Sequence, residues 1–288
     1  MRIKARAKIN WTLDILGQRE DGYHLMDMLM QPVSLADTIT LTPAGELSLS
    51  TGGYPKLPAN ERNLAYRAAV ALQEATGCRR GAAIHVEKRI PVGAGMGGGS
   101  ADAAGVLAGL NRLWGTGLNQ EQLEAIGLTL GADVPFCLRG GLTRTTGIGE
   151  KMVSLPCGRC YDLVVIQPCR GLSTSEVFAA YHEKENIPRP ASDNAQQALA
   201  SGDTALLATS LGNVLQAVSQ DMRPPIGEAI TALKQRGAIT ALMTGSGSAV
   251  FGVFATEEDA RDIARSLRNH WASTFYCRTC PESLIITD

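Results

Sequence analysis

Hydrophobic and polar positions along the chain switch repeatedly between a period of two and a period near 3.6. From Ile3 to Leu16 the pattern is a strand's, with Ile9, Trp11, Leu13 and Ile15 on one face and Lys8 and Asn10 on the other. Thr38–Thr42 and Leu47–Ser50 read as short strands parted by Pro43, Ala44 and Gly45. Asn63–Thr76 then predicts a helix, because Leu64, Ala68, Ala71, Leu72 and Ala75 recur at threes and fours and Gly77 stops them. Ala82–Arg89 returns to strand periodicity. A glycine-rich turn follows it. Beyond the turn, Ala103, Val106, Leu107, Leu110, Leu113 and Trp114 predict a helix over Ser100–Trp114, and Glu121–Leu130 predicts another.

Composition shifts near Ser154–Arg159, where Pro156 and Gly158 precede a strand at Tyr161–Gln167. The remainder reads as helix (Ser175–Lys184), polar link, several helices, strand, helix, strand. This is an α+β pattern, helices on a mostly antiparallel sheet, with units expected at 1–156 and 157–288. No internal repeat or low-complexity tract is visible.

Charge excludes some partners. A net charge of -1 with scattered Lys and Arg offers no basic stripe for nucleic acid. No uninterrupted apolar run is long enough to span a bilayer, and the N-terminus lacks the apolar core of a signal peptide, so no membrane partner and a cytoplasmic location are expected. The sequence leaves a monomer and a homodimer open. Seven cysteines include two CxxC pairs, Cys157/Cys160 and Cys277/Cys280. They lie too far apart in sequence for a compact zinc module, so reduced thiols are the expectation and zinc the alternative.

The glycine-rich segment changes the picture most. Pro91, Val92, Gly93, Ala94, Gly95, Met96, Gly97, Gly98, Gly99 and Ser100 join a strand to an amphipathic helix. Glycines let backbone approach a ligand closely, and the helix behind them presents unpaired N–H groups that attract an anion. No lysine stands where a Walker A loop needs one. Gly93-x-Gly95-x-x-Gly98 matches a dinucleotide fingerprint, but Glu87, Lys88, Arg89 and Pro91 separate it from the apolar strand, so a dehydrogenase is disfavoured. What remains is a phosphate loop.

With three further segments this loop resembles the GHMP kinases. They are Ala7-Lys8-Ile9-Asn10 with Gly22-Tyr23-His24, then Leu130-Gly-Ala-Asp133-Val-Pro135, and finally Met243-Thr-Gly-Ser-Gly-Ser-Ala-Val-Phe251. The resemblance runs from about residue 3 to the last strand. It implies a two-domain GHMP kinase fold, a ribosomal-S5-like N-terminal domain and a ferredoxin-like C-terminal domain, with ATP and a small-molecule substrate in the cleft between. The branch it most resembles phosphorylates the 2-hydroxyl of a cytidine diphosphate-linked polyol in the non-mevalonate route to isoprenoid precursors. Homoserine, mevalonate or sugar kinases of the same family, and a catalytically silent nucleotide-binding regulator, are the alternatives.

By that resemblance Asp133 is the base, with Lys8 its cationic partner, because an alcohol acceptor needs a nearby base and a positive charge. Without it, Asp133 reads as a helix cap and Lys8 as a solvated side chain. Asn10 is implied in holding substrate, Tyr23 and His24 in reading cytosine, Phe178 in closing its other side, and Thr174, Gly245 and Ser246 in meeting the rest of the substrate. Asn63 and Lys88, with Pro91–Ala101, are implied around ATP. Magnesium is implied too, its ligands open. The family often carries Ser at Ala101 and Asn at Asp102, so a hydroxyl is missing here and Asp102 becomes a candidate metal ligand.

Overall fold

The sequence patterns map onto twelve strands and ten helices in a computed structural model that describes residues 1–20, 22–54, 56–182 and 186–288. The strands are β1 (Arg2–Gln18), β2 (His24–Ala44), β3 (Ser48–Gly52), β4 (Gly81–Glu87), β5 (Leu142–Gly147), β6 (Lys151–Leu155), β7 (Asp162–Ile166), β8 (Gly212–Asn213), β9 (Thr240–Met243), β10 (Val250–Phe254), β11 (Thr274–Arg278) and β12 (Leu284–Thr287). The helices are α1 (Leu64–Thr76), α2 (Gly98–Trp114), α3 (Gln120–Leu130), α4 (Val134–Arg139), α5 (Thr174–His182), α6 (Ser192–Ser201), α7 (Thr204–Ser210), α8 (Gln216–Met222), α9 (Pro225–Gln235) and α10 (Glu257–Leu267). The end of the helix expected at Ser175–Lys184 lies outside the described residues.

β1 and β2 pair antiparallel along their length, from Arg2↔Thr40 to Gln18↔His24, and form the spine of an eight-stranded sheet. β4 and β3 continue it beyond β2, while β5 and β6 extend it along the other half of β2. The periodicity exposed only the last third of β2, because the stretch His24–Asp37 mixes apolar residues with Asp27, Gln31 and Ser34 without a regular alternation and contains Pro32. Proline removes a ladder donor and is tolerated where the ladder is already broken. Pro32 sits opposite Lys8, beside the register shift between Arg6 and Lys8. β5 and β6 were missed as well.

α1 begins where Asn63 caps it, its side-chain oxygen accepting the Ala65 N–H at 3.0 Å, a contact worth about 1 kcal/mol. It ends at Gly77 in the left-handed conformation. α2 buries Ala103, Val106, Leu107 and Leu110 completely. α4 opens on Val134-Pro135-Phe136; proline is at home in a first helical turn, and all three side chains are buried.

The second sheet has the order β11-β7-β10-β9, antiparallel throughout. β7 is buried at every residue, as a central strand covered on both faces must be. The sheets meet at Trp11, whose indole makes edge contacts with Tyr161 and Phe251, ring centroids 5.2 and 5.6 Å away. Its N–H donates to Gln31 Oε1 at 2.9 Å, so burying the ring strands no donor. The last strand, β12, returns to the first sheet and pairs with β1 through Arg2↔Thr287. Among the described residues no helix is long and apolar enough to cross a membrane.

Candidate active site

The glycine-rich segment leaves β4 and enters α2 through Gly97, which has φ 68° and makes no side-chain cap. The opening N–H groups of α2 therefore lack side-chain partners and face the cleft. Two glycines explain how closely the segment lies on its surroundings. A Cβ at Gly95 would fall 2.3 Å from the carbonyl oxygen of Thr244, and one at Gly97 would fall 3.1 Å from Cγ of Lys8. The turn Thr244–Ser248 of the other half thus packs against the loop itself, and the Ala249 N–H donates to the Ala94 carbonyl at 3.1 Å. A second cradle is built from both halves.

Two cavities open on either side of this contact. One, of about 520 Å³, is walled by Lys8, Asn10, Tyr23, His24, Asp133, Phe178, Gly245 and Ser246. The other, of about 500 Å³, is walled by Asn63, Lys88, Asp102 and the loop from Pro91 to Ser100. Gly93, Gly95, Gly97, Ser100 and Thr174 line both. The helix N-terminus consequently lies where the two spaces join, so a phosphate chain placed there reaches either side.

Lys8 and Asp133 meet at that junction, Nζ to Oδ2 at 3.5 Å. Asp133 immediately precedes α4 yet makes no side-chain cap bond, so its carboxylate is left for the cleft, with its side chain 32% exposed. Lys8 is buried, contrary to the ordinary expectation for a strand lysine. Its ammonium donates to Asn10 Oδ1 at 2.7 Å. Asn10 is itself fully buried; the same oxygen also accepts the Gly245 N–H at 3.1 Å. A carboxylate beside a fixed ammonium can accept a proton from an alcohol while the cation stabilises transferring negative charge.

At the far end of the first cavity the rings of His24 and Phe178 stack, centroids 4.4 Å apart and planes tilted by 30°. Tyr23 stands at the mouth, 60% exposed. Thr174, at the start of α5, shares a 3.0 Å hydrogen bond with the Ser246 hydroxyl, tying that helix to the second turn.

Other residues that the resemblance implied around the nucleotide are engaged by their neighbours in the fold. Lys88 lines the second cavity, but its ammonium is held by two carboxylates, Asp37 and Asp102, the latter at 2.7 Å. Asp37, fully buried on β2, also accepts the N–H groups of Arg89 and Ile90 at 2.6 and 2.8 Å. It anchors the approach to the loop, and local spacing gave no sign of it, since β2 carries two buried acids, Asp27 and Asp37. Asp102 is turned onto Lys88, with its second oxygen buried and without a hydrogen bond. Burial pushes its carboxyl up to about 8 against the pull of Lys88. For Lys88, burial works downward, and the two aspartates outweigh it, leaving the ammonium above its ordinary range. Asn63 commits both ends of its amide to the local turn, accepting from Ala65 and donating to the Pro58 carbonyl at 2.8 Å. Ala101 lines neither cavity; it is fully buried and its N–H donates to the Gly97 carbonyl. Of the cysteines, Cys157 and Cys160 are exposed while Cys277 and Cys280 are buried.

This geometry has relatives. Residues 63–141 match the model of the GHMP kinases N terminal domain, and residues 195–273 that of the GHMP kinases C terminal. The 4-diphosphocytidyl-2-C-methyl-D-erythritol kinase of Symbiobacterium thermophilum is 44% identical over 269 residues, 93% of this chain and 95% of the relative. The enzyme of that name from Pelotomaculum thermopropionicum is 45% identical over 92% of each chain. This chain belongs to the GHMP kinases, among the 4-diphosphocytidyl-2-C-methyl-D-erythritol kinases. A crystal structure titled 4-(cytidine 5'-diphospho)-2C-methyl-D-erythritol kinase superposes with a TM-score of 0.83 at 35% identity, covering 97% of this chain and 99% of that one. Homoserine kinase from Cytophaga hutchinsonii gives a TM-score of 0.77 at 18% identity, with 100% and 97% of the chains covered. That likeness speaks for the fold alone. Within a GHMP kinase the two cavities take on distinct meanings, because one must hold a nucleotide and the other an acceptor.

Proposed function

We propose that this chain transfers the γ-phosphoryl group of ATP to the 2-hydroxyl of 4-diphosphocytidyl-2-C-methyl-D-erythritol. The observation that carries the reading is the Lys8–Asp133 pair, 3.5 Å apart, at the join of two cavities that share a phosphate loop. ATP occupies the cavity beside Asn63 and Lys88, with its phosphates on the N-terminus of α2. The acceptor occupies the cavity of Tyr23, His24 and Phe178.

Asp133 takes the proton of the attacking hydroxyl and orients its oxygen; Lys8 stabilises charge on the transferring group. Phosphoryl transfer needs little more than this positioning and neutralisation. Cytosine is held by Tyr23 and Phe178, and His24 and nearby backbone read its polar edge. Gly245 and Ser246 approach the acceptor's diphosphate from the other half, and Thr174 fixes Ser246. Homoserine and mevalonate carry no base for the aromatic end of the cavity, so that end favours the cytidyl substrate.

The donor set fits no all-protein magnesium site. Among the described residues no three His, Cys, Asp or Glu side chains are spaced to hold a metal, and Asp102, on the wall of the second cavity, spends one carboxylate oxygen on Lys88. Magnesium in this reading travels with ATP, ligated by phosphate oxygens and water, as is common for this ion.

The test is an ATP-consumption assay with the cytidyl substrate, mevalonate, homoserine and galactose as acceptors. Turnover of the first above the others is expected. Silence with the first and clear turnover of another overturns the assignment.

A further inference from the structure

The lysine of the proposed catalytic pair is not aimed by its own strand alone. Asn10 Oδ1 accepts the Lys8 ammonium at 2.7 Å, the Thr244 hydroxyl at 3.3 Å and the Gly245 N–H at 3.1 Å. Thr244 Oγ1 in turn accepts the Asn10 backbone N–H at 2.9 Å. Among the described residues the Asn10 amide nitrogen finds the sulfur of Met28, at 3.4 Å, a weak acceptor. The orientation of the Asn10 side chain therefore depends on the two donors of the turn. Both Asn10 and Thr244 are fully buried, so water cannot replace either contact without opening the interface.

The turn is held from its other side by Asn213, whose amide donates to the carbonyls of Met243 and Gly245 at 3.0 and 2.8 Å. Asn213 lies on β8, which pairs in parallel with β1 at Leu13. Position 244 is thus fixed relative to β1 on two sides, and little slack remains.

We propose that Thr244 is a positioning residue: its hydroxyl, through Asn10, holds the Lys8 ammonium at the distance from Asp133 that transfer requires. The proposal rests on the functional reading above. The unbroken path runs Thr244, Asn10, Lys8, Asp133, and it crosses from one half of the molecule to the other. Its consequence is that the cation is correctly placed only when the turn that approaches the acceptor's phosphates is seated against the glycine-rich loop. A hydroxyl is the group that suits this place, since it accepts from one atom of Asn10 and donates to another; a side chain of the same shape without it does neither.

The experiment compares Thr244→Val, which keeps the shape and removes the hydroxyl, with Thr244→Ser, which keeps the hydroxyl and removes a methyl. The wild-type chain is first assayed with the cytidyl substrate. If it turns over a different acceptor of the panel, the functional reading fails on its own and the comparison proceeds with that acceptor. For Thr244→Val a fall in kcat of about tenfold or more is expected, with KM for both substrates within about twofold, as for loss of a contact that matters only in the transition state. Thr244→Ser is expected to stay within about threefold of wild type. Near-wild-type kcat in the valine variant overturns the proposal. So does an equal loss in the serine variant, which would mark packing as the cause, or a loss confined to KM. Should valine prevent folding, Thr244→Cys carries the same comparison, because a thiol fills similar space and is a poor hydrogen-bonding group.

Discussion

Lys8 and Lys88 stand on either side of one glycine-rich loop, both buried to within 6% exposure, and they are held in opposite ways. Lys88 is gripped by two carboxylates, one of which also anchors two backbone N–H groups. Its charge is fully matched at home, and it joins β2 to the first turn of α2. Lys8 has a neutral amide as its close partner and one carboxylate at 3.5 Å. Its charge is incompletely matched, so a phosphoryl group arriving at the cavity junction gains an attraction that Lys88 cannot offer. Burial alone does not distinguish a catalytic cation from a structural one. The saturation of its partners does.

Removing the two ammonium groups should damage different things. Asp133→Asn or Lys8→Met should lower kcat by about 10³-fold or more, as loss of a general base or a charge stabiliser does. ATP affinity by calorimetry and the thermal midpoint should stay close to wild type; a variant with more than a tenth of the activity would remove that residue from the mechanism. Lys88→Met leaves the buried Asp37 carboxylate, and the Asp102 carboxyl beside it, without their cation, a loss of about 3–5 kcal/mol in stability that thermal or urea melts would register. Turnover per folded molecule should remain within about tenfold, and a specific collapse of kcat in a stable protein would erase the distinction.

Smaller effects are expected away from the lysines. Phe178→Ala should raise KM for the cytidyl substrate by about tenfold, the scale of one aromatic contact, with KM for ATP unchanged. The finest test concerns pH. Folding raises the Asp102 carboxyl from 3.8 to about 8, so between those values the folded chain binds a proton that the unfolded chain releases. Stability from this group therefore falls as pH rises through that window. Asp102→Asn cannot lose a proton, and its thermal midpoint relative to wild type should increase from pH 5 to pH 8; a constant difference would show that Asp102 does not titrate there.

The sequence by itself determined a good deal. α1, α2 and α3 were legible from apolar spacing and their stops, because an amphipathic helix records its own geometry within a few turns. The glycine-rich loop stood out because glycines crowded before a helix have few other uses, and the motifs around Asp133 and Lys8 singled out two side chains that the fold brings 3.5 Å apart. What the spacing could not reveal is pairing across the chain. β2 was hidden in a stretch without regular alternation and with a proline, which the register shift beside Lys8 makes tolerable. The return of β12 to β1 joins residues at opposite ends of the chain, and no local pattern encodes it. The same holds for the site's supports. Asp37 and Thr244 act through partners 51 and 234 positions away, and that Lys88, on the wall of the second cavity, is also held by two aspartates shows only in the fold. A side chain's type is written locally; whether its charge is already matched depends on neighbours that only the folded chain brings within reach.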